Sequence, residues 1–386
     1  MSRRFLFVVP PLAGHVLPTI GVARALEARG HRVAWAAHPR RVLPLLPEGA
    51  ELVALDDGPS DDVFSPILER SKGMRGLESL QFLWNDVLVP LARPMLPQVG
   101  HAIDRWKPDV VVVDHQAIGG ALAARRAGVT WATFCTTSAS VVDALGDLPK
   151  VKAWVTEQLA SLERDAGLPP SATPDLSPSL VVVFSTEALV GGEDAWPARY
   201  RFVGPSIQDR PDPTPFPWDA LTPGPRVFVS LGTVNAEIGG RFYATAMDAF
   251  RDVDAQFIVA APRSLLPNPP PSFLVQERVP QLALLPKMSA VVCHAGHNTT
   301  CEALASGLPL VVAPIRDDQP VVAQQVVAAG AGVRVKFGRL SPGALREALM
   351  RVLSEPSFRE AAKRVRDSFV AAGGAVAAAD ALEALR

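Results

Sequence analysis

The chain is poor in cysteine: Cys135, Cys293 and Cys301 are its whole complement. They are too few and too irregularly spaced for a disulfide framework or a zinc site, which points to a reducing, cytoplasmic setting. Long apolar runs are missing too. None approaches the roughly 18 to 20 residues that span a bilayer, so no integral membrane association is expected. The formal net charge of -1 gives no electrostatic ground for a nucleic-acid partner. After the first apolar run the sequence has "PPLAGH" where a dinucleotide-binding G-x-G-x-x-G would stand, which argues against a Rossmann dehydrogenase. The D-x-D at Asp252-Val-Asp254 falls at a predicted helix-to-strand turn and reads as a solvated turn, and no metal ligand set is visible. The opening "MSRRFLFVVPPLAGH" has an apolar core of five residues before Pro10 and Pro11, and reads as a first buried strand rather than a signal peptide.

What is present describes a globular α/β protein. With 386 residues, 48% of them hydrophobic and 20% charged, two cores are the default. "RRFLFVVP", "VLPTIGVARALEARG" and "HRVAWAA" predict a β-α-β opening, with Gly30 stopping the helix. "PDVVVVDH" is too continuously apolar for an edge strand, and a small-residue helix and "VTWATFC" follow it. Residues 74 to 103 read as helical in parts but irregular, and 141 to 168 as an inserted helical pair.

The composition shifts at residues 204–225, where seven prolines in 22 residues leave no room for a helix or a central strand. This Pro-rich linker divides an N-terminal domain, 1–203, from a C-terminal domain, 226–386, in which a second β-α-β series begins at "PRVFVSLGT". The Ala- and Arg-rich tail has helical spacing, and its last helix can pack back on the first domain. In parallel α/β sheets ligands sit beyond the carboxyl ends of the strands, so the natural site is the cleft between the two domains.

"CHAGHNTTCEALASG", residues 293–307, is a strand-to-helix turn carrying imidazoles, glycines, an amide and a carboxylate. Unpaired N–H groups at a helix start form an anion site, and glycine permits close approach. The alternative is an ordinary capped helix, with Asn298 and Thr299 where the N-cap belongs and Glu302 complementing the dipole.

From "ERVPQ" through "CHAGHNTTCEALASG" to "DDQP", over roughly residues 276–335, the sequence resembles the donor-binding signature of the UDP-glycosyltransferases: V-P-Q, then H-C-G-W-N-S-x-x-E, then D-Q. "PPLAGHVLPTIGVARAL" is similar to that family's opening. The resemblance implies the GT-B fold, two facing Rossmann-like doubly wound parallel-sheet domains with an interdomain cleft, and inverting sugar transfer. It implies that His294, Gly296, Asn298 and Thr299 cradle the diphosphate, that Glu302 binds the ribose, and that Asp318 and Gln319 hold the transferred sugar. Arg278, Val279 and Gln281 would flank the base, and Ser230, Gly232 and Thr233 of "VFVSLGT" would form a second phosphate-side loop. Two positions depart from the plant pattern: Arg278 stands where a base-stacking tryptophan often precedes V-P-Q, and His297 where tryptophan follows the second glycine. They leave donor preference open, while Glu302 favours UDP over dTDP because it suits a ribose with both hydroxyls.

The same resemblance assigns His15 as the base and Asp114, ending "DVVVVD", as the carboxylate that holds it. The implied reaction moves a hexose, with glucose expected, to a hydroxyl of a hydrophobic natural product of the kind met in antibiotic biosynthesis and secondary metabolism. No metal or other cofactor is required, since the nucleotide sugar is a co-substrate. Phe64, Met74, Leu80, Phe82, Trp84, Leu88, Phe134, Ser138 and Trp154 are candidates to line the acceptor site, although such residues also build ordinary cores. A monomer or homodimer is expected. Two alternatives stay open: another GT-B sugar-nucleotide enzyme such as an epimerase, and a non-catalytic glycosyltransferase-like auxiliary or binding protein.

Overall fold

The structure is a computed structural model that describes residues 2–56, 64–71, 73–74, 76–192, 196–207, 212–232 and 239–385. Short runs of Val, Phe, Ile and Ala, apolar on both faces, give parallel strands buried between helices. The first sheet has the order β3-β2-β1-β4-β5-β6-β7. Its strands are β1 (Arg4–Val8), β2 (Arg32–Ala37), β3 (Glu51–Ala54), β4 (Val110–Asp114), β5 (Trp131–Cys135), β6 (Val181–Val183) and β7 (Tyr200–Phe202). The second, β10-β9-β8-β11-β12-β13, comprises β8 (Arg226–Ser230), β9 (Gln256–Ala260), β10 (Phe273–Gln276), β11 (Ala290–Cys293), β12 (Leu310–Val312) and β13 (Gly332–Arg334). Every described pairing is parallel.

In each sheet the strand order reverses at one place. In the first, β1 lies beside β4, with Val8 opposite Val113. In the second, β8 lies beside β11, with Ser230 opposite Cys293. At such a switch point the chains leaving two neighbouring strands diverge to opposite faces and open a crevice at the carboxyl ends.

Two expectations need correction. From Gly76 to Trp106 the chain is helical throughout: Gly76–Phe82, a π-helical stretch Leu83–Leu88, then Val89–Trp106. The prolines that suggested irregularity are accommodated. Pro90 falls in the first turn after the π stretch, where wider i→i+5 pairing has already interrupted the α ladder. The inserted helical pair is one helix, Pro149–Asp165, preceded by turns.

The last helix, Gly374–Glu383, crosses back to the first unit. Ala375, Ala378, Ala379 and Leu382 join the core that holds Val22, Ala23 and Leu26. Glu383 pairs with Arg29 and, at 2.7 Å, with His31 Nε2. Gly21 makes room for this packing, because a Cβ there would lie 3.1 Å from that of Ala375. Among the described residues no helix is long and apolar enough to cross a membrane.

Candidate active site

His15 enters the cleft from the helix Ala13–Ala28, just past β1, and Asp114 from the end of β4. His15 Nδ1 lies 2.9 and 3.0 Å from the two Asp114 oxygens. Thr136, just beyond β5, donates its hydroxyl to Asp114 Oδ2 at 2.7 Å and stands 2.8 Å from His15 Nδ1. The Gln116 N–H donates to Asp114 Oδ1 at 2.8 Å. With acceptors gathered around Nδ1, that nitrogen carries the proton, which leaves Nε2 as the basic atom.

Burial pulls the His15 pKa down, but the charge and hydrogen bond of Asp114 and the charge of Asp318 outweigh it, and the net shift is upward. Burial pushes the Asp114 carboxyl up, and the charges of His15 and His115, with the hydrogen bonds it accepts, reverse this to leave it below its ordinary value. His115, with its ring centroid 5.4 Å from that of His15, is pushed down to about 4, chiefly by burial. His15, Asp114 and His115 offer ligand-type atoms within 4.8 Å of one another. Both carboxylate oxygens accept hydrogen bonds.

The opposing wall is built at the second switch point. His294 follows β11, and its ring lies between two glycines: a Cβ on Gly232 would stand 2.7 Å from His294 Cε1, and one on Gly296 would stand 2.4 Å from Nε2. The S-L-G-T loop and the H-A-G-H turn therefore meet at one imidazole. Burial, with the nearby Arg316 charge, pushes His294 down to about 4 against a weaker opposing effect of the Ser230 backbone, so it is neutral at pH 7. Backbone conformation is unusual at all three neighbouring loops, with positive φ at Gly232 (72°), Ala295 (65°) and Asp317 (55°). For the two non-glycine residues this stores strain of the kind that gathers at functional sites.

The helix begins at His297, earlier than the sequence suggested. Its N-cap is Gly296, without a side-chain cap, in place of Asn298 or Thr299. Left-handed Ala295 turns the chain sharply enough to start the helix at once. The first-turn N–H groups lack a capping side chain, and the dipole adds positive potential there.

Other candidates separate into those the cleft gathers and those it does not. Glu302 is buried and accepts from Gln281 Nε2 at 2.5 Å, so base-side and ribose-side candidates touch. Asp318 accepts from Thr137 of the first unit at 2.7 Å. Asn298 donates to the Gly14 carbonyl at 3.1 Å, directly across from the His15 segment. Thr299 is half-buried on the same helix start, and Ser230 accepts the Gly232 N–H at 3.1 Å. Val279 packs partly buried against the core. Arg278 is exposed on the wall of an open cleft of about 580 Å³ that also takes in Pro213, Pro215 and Arg263. Thr233 lies outside the described residues.

Gln319 is buried. Its side-chain oxygen accepts from the N–H groups of Ile315 and Arg316 at 2.9 and 3.2 Å, so it braces its own loop. His297 points toward the first unit. It donates from Nε2 to the Phe184 carbonyl at 3.1 Å and meets Ser138 through Nδ1, which makes it a buried contact between the units.

Several acceptor candidates are core. Trp84 and Leu88 belong to the cluster under β1 and β4, and Phe134 is packed edge-on against Phe7 and Phe184. Their strands and helices have two apolar neighbours, and sequence alone does not tell a core face from a cleft face. Leu80 and Trp154 pack partly buried against the first of these clusters. Phe82 is buried beneath Arg70, and Ser138 is buried, donating to Gln325 at 2.5 Å. Met74 is half-buried, and the Phe64 side chain lies outside the described residues. Thr136, His115 and Arg316 were missed. The hydroxyl pair of "CTTS" after a buried strand was the available signal for Thr136.

Residues 244–385 match the family described as Erythromycin biosynthesis protein CIII-like, C-terminal domain. Over 97% of the chain and 96% of the relative, the sequence is 29% identical to the uncharacterized UDP-glucosyltransferase YojK of Bacillus subtilis. It is also 29% identical, over the full length of both, to 4'-demethylrebeccamycin synthase of Lentzea aerocolonigenes. The crystal structure of the glycotransferase of kitacinnamycin superposes with a TM-score of 0.78 at 28% identity, covering 99% of this chain and 98% of the other. The calicheamicin glycosyltransferase CalG4 superposes at 0.79 and 24% identity, covering 99% and 98%, which is likeness of fold. The chain is a glycosyltransferase, similar over nearly its whole length to bacterial UDP-glucosyltransferases and natural-product glycosyltransferases. Its fold is GT-B, and its donor is a nucleotide sugar.

Proposed function

We propose that this glycosyltransferase moves a hexose, glucose first among candidates, from UDP to a hydroxyl of a hydrophobic natural product, with inversion at the anomeric carbon and without a metal. The acceptor hydroxyl gives its proton to His15 Nε2. Its oxygen bonds to the anomeric carbon as the bond from that carbon to the β-phosphate oxygen breaks, and the electron pair leaves on the diphosphate. Asp114 and Thr136 hold the ring and stabilise the imidazolium as it forms. His294 and the uncapped helix start receive the leaving group.

The observation that carries this reading is the placement of the His15–Asp114 pair at one switch point against the His294 turn at the other, with Asn298 and Gly14 hydrogen-bonded between them. Buried Glu302 supports a donor with both ribose hydroxyls, although VinC, a structural relative, has been solved with dTDP. For the acceptor, the relatives named for rebeccamycin and elloramycin support a natural product.

The test is His15→Ala, with donor binding followed by calorimetry and transfer followed by product formation. Turnover should fall about 10²- to 10⁴-fold while UDP affinity stays within about twofold. Full turnover in the variant would remove His15 as the base. Incubation with donor alone should yield no epimerised sugar nucleotide.

A further inference from the structure

The charge balance of the donor wall is incomplete if His294 is its only receiving side chain. A neutral imidazole supplies a hydrogen bond but no positive charge, and a departing diphosphate gains negative charge as its bond breaks. Among the described residues Arg316 is the only arginine or lysine that is buried, with 4% of its surface exposed. It sits in the loop between β12 and the helix Gln319–Ala328. That loop leaves the strand next to β11, where Val312 pairs with Cys293.

A buried guanidinium is costly unless its donors and its charge are both met. One terminal nitrogen of Arg316 donates across the cleft to the Ser71 carbonyl at 2.6 Å and hydroxyl at 2.8 Å. These partners are neutral. Its Nε is buried without a hydrogen bond among the described residues and stands 3.5 Å from Oδ2 of Asp317, whose side chain is 39% exposed. The charge is therefore fixed in place by neutral groups and compensated only loosely by a partly solvated carboxylate. The Arg316 charge also reaches His294, and it is one of the causes that keep that ring neutral.

We propose that Arg316 is a further catalytic residue: its guanidinium binds the diphosphate of the nucleotide sugar and stabilises the negative charge that the diphosphate takes up as the bond to the anomeric carbon breaks. This rests on the reading of the cleft as the donor site. Gln319 serves it indirectly by accepting the Arg316 backbone N–H and so setting the loop.

The experiment compares the full-length wild type with Arg316→Gln and Arg316→Lys, using calorimetric titration with UDP, steady-state transfer kinetics and thermal melting. Arg316→Gln should weaken UDP binding at least tenfold and lower kcat at least tenfold, with Arg316→Lys in between. Wild-type UDP affinity should fall with added salt more steeply than that of Arg316→Gln. If Arg316→Gln keeps UDP affinity and kcat within twofold, the residue is a strut and the inference fails while the donor site stands. If the wild type binds neither UDP nor dTDP, the donor reading fails and takes this one with it. Should Arg316→Gln not fold, Arg316→Lys decides: a several-fold loss of UDP affinity supports the proposal, and unchanged affinity and kcat overturn it.

Discussion

His294 is held between two glycines, and a single methyl on either would meet its ring. The two positions are not equivalent. Gly232 has φ of 72°, so alanine there adds backbone strain of about 1–2 kcal/mol to the clash. Gly296 has φ of -62°, which any residue adopts, so Gly296→Ala isolates the clash with Nε2. UDP affinity should drop at least tenfold by calorimetry while the melting temperature changes little. Unchanged affinity would mean the ring has room to move and is not part of the cradle. At this scale the sequence was informative where chemistry and chain position coincide. His15 and Asp114 each stand just past or at the end of an apolar run, and adjacent strands bring their side chains to 2.9 Å. Arg316 was not legible, because its burial depends on Ser71, 245 positions away along the chain.

At the scale of elements, the strands were readable because apolar runs bounded by turns have few alternatives, whereas helix starts and partners were not. The helix at His297 begins early because Ala295 adopts a left-handed conformation that no side-chain pattern announces. The tail helix shows the other difficulty: its small residues gave the helical period but not the surface it covers. Ala379 is fully buried against the first unit. Ala379→Asp would place an unpaired carboxylate there and should lower the melting temperature by roughly 10 °C, from a cost of several kcal/mol at about 2–4 °C per kcal/mol. Ala377→Asp, at a partly buried position of the same helix, should cost much less. Equal, small effects would show that the helix is not anchored across the boundary.

For the whole molecule, the cleft concentrates histidines that fold in the neutral form. His115, His294 and His297 are each held near about 4 by burial, against an ordinary value of 6.5. Between those values the unfolded chain binds protons that the folded chain refuses. Stability supplied by these groups is full above pH 6.5 and falls on acidification, by up to about 1.4 kcal/mol per pH unit for each imidazole. His15 works in the opposite sense: its pKa is raised, so the stability it gains from Asp114 is complete below 6.5 and is lost as pH rises through the folded value. Three depressed histidines against one raised one pull the melting temperature down on acidification below pH 6.5, while Asp175, whose carboxyl burial pushes up to about 6, opposes them. His297→Gln, which cannot take up that proton, should flatten the slope by about one imidazole's share even if it melts lower at neutral pH. Because His297 joins Phe184 and Ser138 to the second unit, its protonation should also separate the units before either unfolds. Scattering at pH 5 would then detect a more open molecule with intact secondary structure. A pH slope that His297→Gln leaves unchanged would overturn the assignment of a neutral histidine to that position.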